Sequence, residues 1–250
     1  MVDLKDFRDA ARLYPLAGFS VTIPHKQGIL RFIDRIDPVV KMAGAANTVR
    51  IRRGRWEAIN SDVEGIAGPL RKTFRLRAGK GLGKNFRAVV VGTGGAARAA
   101  LAALKQLKCR QIFVAGRNPK KAKRLCREFG ATALDLAALG RERFDLMIHA
   151  TPVGMWPRTE ACLLTVKQIN AGCVFDLVYN PRETRLLQIA RSRGCRTISG
   201  LEMFLAQAAR QFEFWTGEKA PRALMRRTAE RELARFAQPS FPQPITAKTS

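Results

Sequence analysis

The chain is poor in the residues that build metal and disulfide frameworks, with only two histidines and five cysteines among its 250 residues. Cys109, Cys126, Cys162, Cys173 and Cys195 stand singly, with no C-x-x-C pair. Neither a zinc site nor a disulfide scaffold is encoded, no metal is expected, and unpaired thiols fit a reduced, cytoplasmic compartment. Long apolar runs are also missing. The N-terminus, MVDLKD, is charged, and the Ala/Leu stretch after Gly95 is broken by Arg98 and Lys105, so no membrane span is expected. Acidic residues are scarce, 20 against 45 Lys plus Arg, which leaves a formal charge of +25. That excess is dispersed. There is no basic arm, no helix-turn-helix, RNP or zinc-ligand spacing, and only two tyrosines. The expected use is a solvated basic surface suited to an anionic small molecule rather than to nucleic acid.

A chain of this length with 46% hydrophobic residues can bury a sizeable core in one large or two modest domains. Its organising stretch is RAVVVGTGGAARAALAAL, residues 87–104. The apolar, β-branched run 88–91 reads as a strand buried on both faces, and the Ala/Leu-rich sequence from Ala96 reads as a helix. Between them Gly92 permits a tight turn, Gly94 lets backbone approach a pyrophosphate, and Ala97 is small enough for the third position of G-x-G-x-x-G/A. A second apolar run, QIFVA at 111–115, follows at the spacing of a βαβ unit and leads into Arg117, Lys120 and Lys121. No carboxylate stands at its end to hold ribose hydroxyls. The cations there favour a 2′-phosphate and hence NADP.

Upstream, helical spacing predicts a helix over 4–14, alternation predicts a strand over 19–23 that stops at Pro24, and 28–36 reads as a helix. A turn at 44–47 enters a strand, 52–55 turns, and 56–59 returns as a strand ending in the polar run NSDVEG. Lys26 and Asp62 lie just past strand ends, where α/β folds place chemistry, and are two site candidates by position. His25 should face away from Lys26 if the strand geometry continues, and is read as structural. Downstream, strands over 145–149 and 173–178 alternate with helices over 120–129, 184–193 and 202–216. This pattern predicts an α/β fold with a doubly wound, Rossmann-type parallel sheet. The Pro/Gln/Ser/Thr-rich tail from Gln238 is expected to be disordered.

Taken in order, SVTIPHK (20–26), GAANT (44–48), NSD (60–62), GTGGAA (92–97), ATPVGM (150–155), VYNP (178–181) and the segment from Gly200 to WTG (215–217) resemble the shikimate dehydrogenases. The resemblance implies NADP-linked interconversion of 3-dehydroshikimate and shikimate in aromatic (chorismate) biosynthesis. Lys26 resembles the family's catalytic lysine and Asp62 its partner. Thr22, Asn47, Tyr179 and Gln207 match positions that hold the substrate. Gly92, Gly94, Gly95, Ala96, Arg117, Lys121, Thr151 and Gly200 fall on the cofactor side. The resemblance divides the chain into a substrate domain at 1–66, an NADP domain at 67–203, and C-terminal helices at 204–237 that return to the first domain. It also implies a preceding strand and helix with a Ser-x-Ser pair for the substrate carboxylate. No such pair precedes Lys26, so the first domain is expected to be N-terminally incomplete. Two positions depart from the family pattern: Gly116 begins the segment that usually reads Asn-Arg-Thr, and His149 stands where Asn is usual. An NAD-using quinate or shikimate dehydrogenase and a non-catalytic NADP-binding remnant remain open as alternatives, as does a monomer or a homodimer.

Overall fold

A computed structural model describes residues 4–22 and 24–236; the tail expected to be disordered lies outside the described residues. The described residues form two sheets. The first has four strands, β1 (Gly18–Ser20), β2 (Arg35–Ile36), β3 (Thr48–Arg52) and β4 (Arg55–Ile59), in the order β1-β3-β4-β2. β3 and β4 form an antiparallel hairpin whose Arg53 and Gly54 have φ of 49° and 72°. Two consecutive positive φ values match the twist of hairpin strands, and glycine adopts the second without strain. Helix α1 (Leu4–Leu13) covers one face, where Phe7 and Trp56 both meet Phe19 edge to face, with ring centroids 4.9 and 5.1 Å away.

Three expectations in this half need correction. The strand expected over 19–23 ends at Ser20, because Val21 N–H donates to Asn47 O and His25 N–H to Thr22 O, turning the chain away. Residues 24–27 are therefore a turn, and strand alternation does not govern where His25 and Lys26 point. The helix expected over 28–36 is one 3-10 stretch, Gly28–Phe32, followed by β2. Asp34 draws the chain into the sheet: its N–H donates to Trp56 O and its carboxylate accepts Trp56 N–H at 2.7 Å. Asp37 then caps α2 (Pro38–Ala43), a helix the sequence pattern did not reveal.

The second sheet is wholly parallel. β5 (Arg87–Val91), β6 (Gln111–Ala115), β7 (Thr132–Leu134), β8 (Phe144–His149), β9 (Ala171–Asp176) and β10 (Arg196–Ile198) run in the order β10-β9-β8-β5-β6-β7. This is the Rossmann order, with its crevice beyond the carboxyl ends of β5 and β8, where the winding reverses. Val89, Val90, Val91, Leu146, Met147 and Ile148 are completely buried, as expected of central strands covered on both faces. Helices α4 (Gly95–Gln106), α5 (Pro119–Phe129) and α6 (Arg185–Ser192) connect the strands.

Three further helices join the halves. α3 (Ser61–Thr73) leaves β4 and packs on α4 and on α7 (Gly200–Thr216), while α8 (Arg222–Phe236) packs on α7. A Cβ at Gly65 would stand 3.0 Å from Met203 O, a contact tight enough to require a small shift, so glycine eases the close approach of α3 and α7. The far end of α7 returns to the first sheet, where Trp215 Nε1–H donates to Val49 O at 2.9 Å and Arg50 donates to Phe214 O at 2.8 Å.

Candidate active site

Backbone hydrogen bonds stitch three segments of the first sheet into one wall. Val21 N–H donates to Asn47 O, Ala46 N–H to Lys26 O, and the Asn60 side chain to Ala45 O, all at 2.8 Å. On this frame Lys26 Nζ donates to Asp62 Oδ2 at 2.6 Å. Asn47 Nδ2 donates to Asp62 Oδ1 and to Ser61 Oγ, both at 2.9 Å, while Asn47 Oδ1 accepts Ser61 N–H at 2.8 Å. Asp62 lies in the first turn of α3, which Asn60 caps by accepting Asp62 N–H. A carboxylate is favoured at a helix start, and here it also neutralises the lysine. The Lys26 and Asp62 side chains are 17% and 7% exposed, so the pair faces a cleft while most of it is shielded from water.

That cleft holds about 410 Å³ and is lined by Thr22, Lys26, Asn47, Asp62, Tyr179, Gly200 and Gln207, among others. All six residues expected to act in catalysis or substrate binding therefore converge. Ser61 Oγ reaches Gln207 Oε1 at 3.3 Å, and Tyr179 stacks on Phe204 with centroids 4.6 Å apart. Sequence reading missed Gln211, which lines the cleft and donates to Thr48 Oγ1 at 2.9 Å and Ser20 Oγ at 3.2 Å. Its one-turn spacing from Gln207 was the available signal. Larger hollows of about 630 and 840 Å³ lie around α3, α7, α8 and β10. The two share Lys72 and Glu202, and there the carboxylate is clasped by Arg226.

The other wall is the glycine turn. Gly92 has φ of 134°, and a Cβ there would stand 2.7 Å from Ala150 O and 3.3 Å from Thr151 Cγ2, which places Thr151 against the turn. A Cβ on Gly95 would meet Lys26 Cδ at 3.4 Å, so the lysine stem lies beside the first residue of α4. Gly94 is the N-cap of α4 and supplies no side-chain hydrogen bond, with open space beside it. By contrast Asn60, Asn118, Thr184 and Ser199 cap α3, α5, α6 and α7. The leading N–H groups of α4, at Gly95 and Ala96, are thus left for an anion. At the end of β6, Arg117 and Lys121 are exposed, and Asn118 accepts the Lys121 backbone N–H at 3.0 Å, which leaves the ammonium uninvolved in that cap. Gly200 is buried where a Cβ would collide with Val178 O, so its role is close packing at the cleft floor.

Other chemistry is thinly represented. No group of His, Cys, Asp and Glu among the described residues has the arrangement of a metal site. Burial pushes the Cys109 and Cys173 thiols up to about 11 and about 12, which removes them as nucleophiles near neutral pH. No helix among the described residues is long and apolar enough to cross a membrane.

A parallel sheet wound in the 3-2-1-4-5-6 order, its glycine turn facing a Lys–Asp cleft built on a second sheet, defines a Rossmann-type two-sheet α/β protein. Family models match residues 2–49 (shikimate dehydrogenase substrate binding domain), 78–177 (shikimate/quinate 5-dehydrogenase) and 200–230 (shikimate 5'-dehydrogenase C-terminal domain). The NADP(+) shikimate dehydrogenase of Maridesulfovibrio salexigens is 36% identical over 86% of this chain and 77% of its own length. That of Moorella thermoacetica is 39% identical over 84% and 73%. The crystal structure of shikimate 5-dehydrogenase from Thermus thermophilus in complex with NADP(H) and shikimate superposes with a TM-score of 0.78 at 30% identity, covering 92% of this chain and 85% of that one. The chain belongs to the shikimate dehydrogenase family.

Proposed function

We propose that the protein is an NADP-dependent shikimate dehydrogenase that reversibly reduces 3-dehydroshikimate to shikimate, a step of aromatic (chorismate) biosynthesis. The observation that carries this reading is the 2.6 Å contact between Lys26 Nζ and Asp62 Oδ2, set beside Gly95 at the start of α4. The bound nicotinamide supplies or accepts the hydride. Hydride arrival at the substrate carbonyl leaves negative charge on its oxygen, and the Lys26 ammonium is there to stabilise that oxygen and give it a proton. In the reverse direction a neutral Lys26 takes the proton from the hydroxyl. Asp62 accepts from Lys26 throughout and fixes its direction. Asn47, Thr22, Tyr179 and Gln207 present amide and hydroxyl groups to the ring hydroxyls and carboxylate, and so orient the substrate.

The residues of the second sheet suit the dinucleotide. The uncapped start of α4 with Gly92, Gly94, Gly95 and Ala96 fits a pyrophosphate. Arg117 and Lys121 stand where a 2′-phosphate would be held, Thr151 packs against Gly92 of the glycine turn, and Gly200 lines the Lys26–Asp62 cleft that adjoins it. We assign residues 1–66 and the C-terminal helices to substrate, residues 67–203 to the cofactor, and the enzyme to the cytoplasm as a monomer or homodimer. The free cysteines support that compartment.

The test is absorbance at the NADPH band with shikimate as hydride donor, run in parallel with quinate and with NAD+. Turnover that requires shikimate and prefers NADP+ is expected. Saturable NADP+ binding without turnover of either donor would replace this reading with a non-catalytic module.

A further inference from the structure

One group of buried polar residues takes no part in the Lys26–Asp62 chemistry. His149 ends β8 and Asp176 ends β9, and the two are register partners across that parallel pair, 1% and 0% exposed. His149 Nδ1 lies 2.8 Å from Asp176 Oδ1. The same carboxylate accepts Val178 N–H at 3.0 Å through Oδ1 and the Thr184 hydroxyl at 2.6 Å through Oδ2. On its other side, His149 Nε2 lies 2.6 Å from Thr151 Oγ1.

Donor and acceptor roles follow along this chain. A carboxylate only accepts, so Nδ1 carries the proton, and in the neutral ring Nε2 is then a bare acceptor. The Thr151 hydroxyl must give its single proton to Nε2. Val153 N–H approaches the same oxygen at 3.3 Å and occupies one lone pair. One lone pair remains, and Thr151 sits against Gly92 in the cofactor crevice.

We propose that His149 is a positioning residue for the dinucleotide: held by Asp176, it turns Thr151 into a pure hydrogen-bond acceptor that selects a donor on the cofactor, a ribose hydroxyl or the carboxamide N–H. The inference rests on the assignment of Thr151 to the cofactor side. It also explains why a buried carboxylate with three partners is placed one strand away from a threonine packed against the glycine turn.

The tautomer is read directly by long-range nitrogen–proton NMR of the histidine-labelled protein, where the chain's two histidines give two ring systems and His25→Asn removes one. An Nδ1–H neutral ring for His149, with and without NADP+, is expected; an Nε2–H or doubly protonated ring would overturn the proposal. Titration of NADP+ supplies the second readout. Thr151→Val should raise Kd about five- to tenfold, the worth of one hydrogen bond. His149→Phe should raise it equally and add nothing in the Thr151→Val background. A weakened Thr151→Val beside a parental His149→Phe would overturn the proposal alone. A parental Thr151→Val would overturn the placement of Thr151 as well, while leaving shikimate turnover untouched as evidence for the enzyme. Repeating the titrations with the 3-acetylpyridine analogue of NADP+, which lacks the carboxamide N–H, separates the donors. The Thr151→Val effect persists if a ribose hydroxyl is selected and vanishes if the carboxamide is.

Discussion

On the proposed assignment the two sheets would meet their ligands with different parts of the chain. At the glycine turn of the six-stranded sheet the surface is backbone: Gly92, Gly94 and the uncapped start of α4 contribute no polar side-chain atom. On the four-stranded sheet it is side chains that fix one another, with Lys26, Asp62, Asn47, Ser61 and Gln207 joined in one hydrogen-bonded set. A backbone site is set by φ and by the absence of Cβ atoms, so it fails through steric changes. A side-chain site is set by charge and hydrogen bonding, so it fails when one partner loses its polarity. The contrast predicts that damage to one wall shows in cofactor binding and damage to the other in turnover.

Apart from Lys26 itself, the sharpest break is expected at Asp62, because it holds both Lys26 and Asn47. Asp62→Asn should lower kcat by about 10²- to 10³-fold, since an amide neither neutralises the ammonium nor keeps its direction. A kcat near that of the parent would detach Asp62 from the chemistry. Next is Gly92→Ala. With φ of 134° and only 2.7 Å between the new Cβ and Ala150 O, the turn must shift, at about 1–3 kcal/mol. The NADP+ Kd should rise by about ten- to a hundredfold with kcat at saturation less affected, and unchanged binding would show that the turn does not hold the cofactor.

Smaller effects sharpen the comparison. Arg117→Ala should cut the preference for NADP+ over NAD+ about tenfold by removing a bidentate partner of the 2′-phosphate; an unchanged ratio would move that role elsewhere. The smallest effect concerns the clasp between α7 and α8, where Arg226 donates twice to Glu202 at 2.8 Å. The hydrogen-bonded guanidinium of Arg226 holds the Glu202 carboxyl below its ordinary value. Because the folded value is the lower one, the contribution is present above the usual carboxylate range and is lost as pH falls through the folded value. Both side chains are more than a third exposed or close to it, so well under about 1 kcal/mol is at stake. Glu202→Gln should lower Tm slightly at pH 7 and match the parent in acid. An equal difference at both pH values would argue against the clasp.

Legibility differed between the sheets for the same physical reason. β5, the glycine turn and α4 announce themselves because a doubly buried strand, a sterically restricted turn and an Ala-rich helix each leave a local pattern. β6 was readable to the residue. The first sheet is assembled from short pieces whose conformation is decided by distant partners. Asp34 converts an apparent helix into β2 through Trp56, which no local periodicity encodes. Ser61–Thr73 contains Gly65, Gly68 and Pro69, poor helix formers, and reads as the polar end of a strand. It is a helix because α4 and α7 bury it, and Gly65 eases that close packing. Lys26 and Asp62 were visible as polar residues past strand ends, but their pairing came from the ordered set of motifs, and the distance between them only from the fold. The His149 network was invisible, since nothing local links positions 149, 151, 176 and 184.

The most direct measurement pairs two readouts on one protein, Lys26→Ala. If Lys26 acts on the developing oxyanion while the α4 turn holds the cofactor independently, kcat should fall by about 10²- to 10⁴-fold. The NADP+ Kd should stay within about threefold of the parent, a change well below the roughly 1.4 kcal/mol of a tenfold shift. A variant with parental kcat, or one whose lost activity is accounted for by lost NADP+ affinity, would contradict the division of labour between the two sheets.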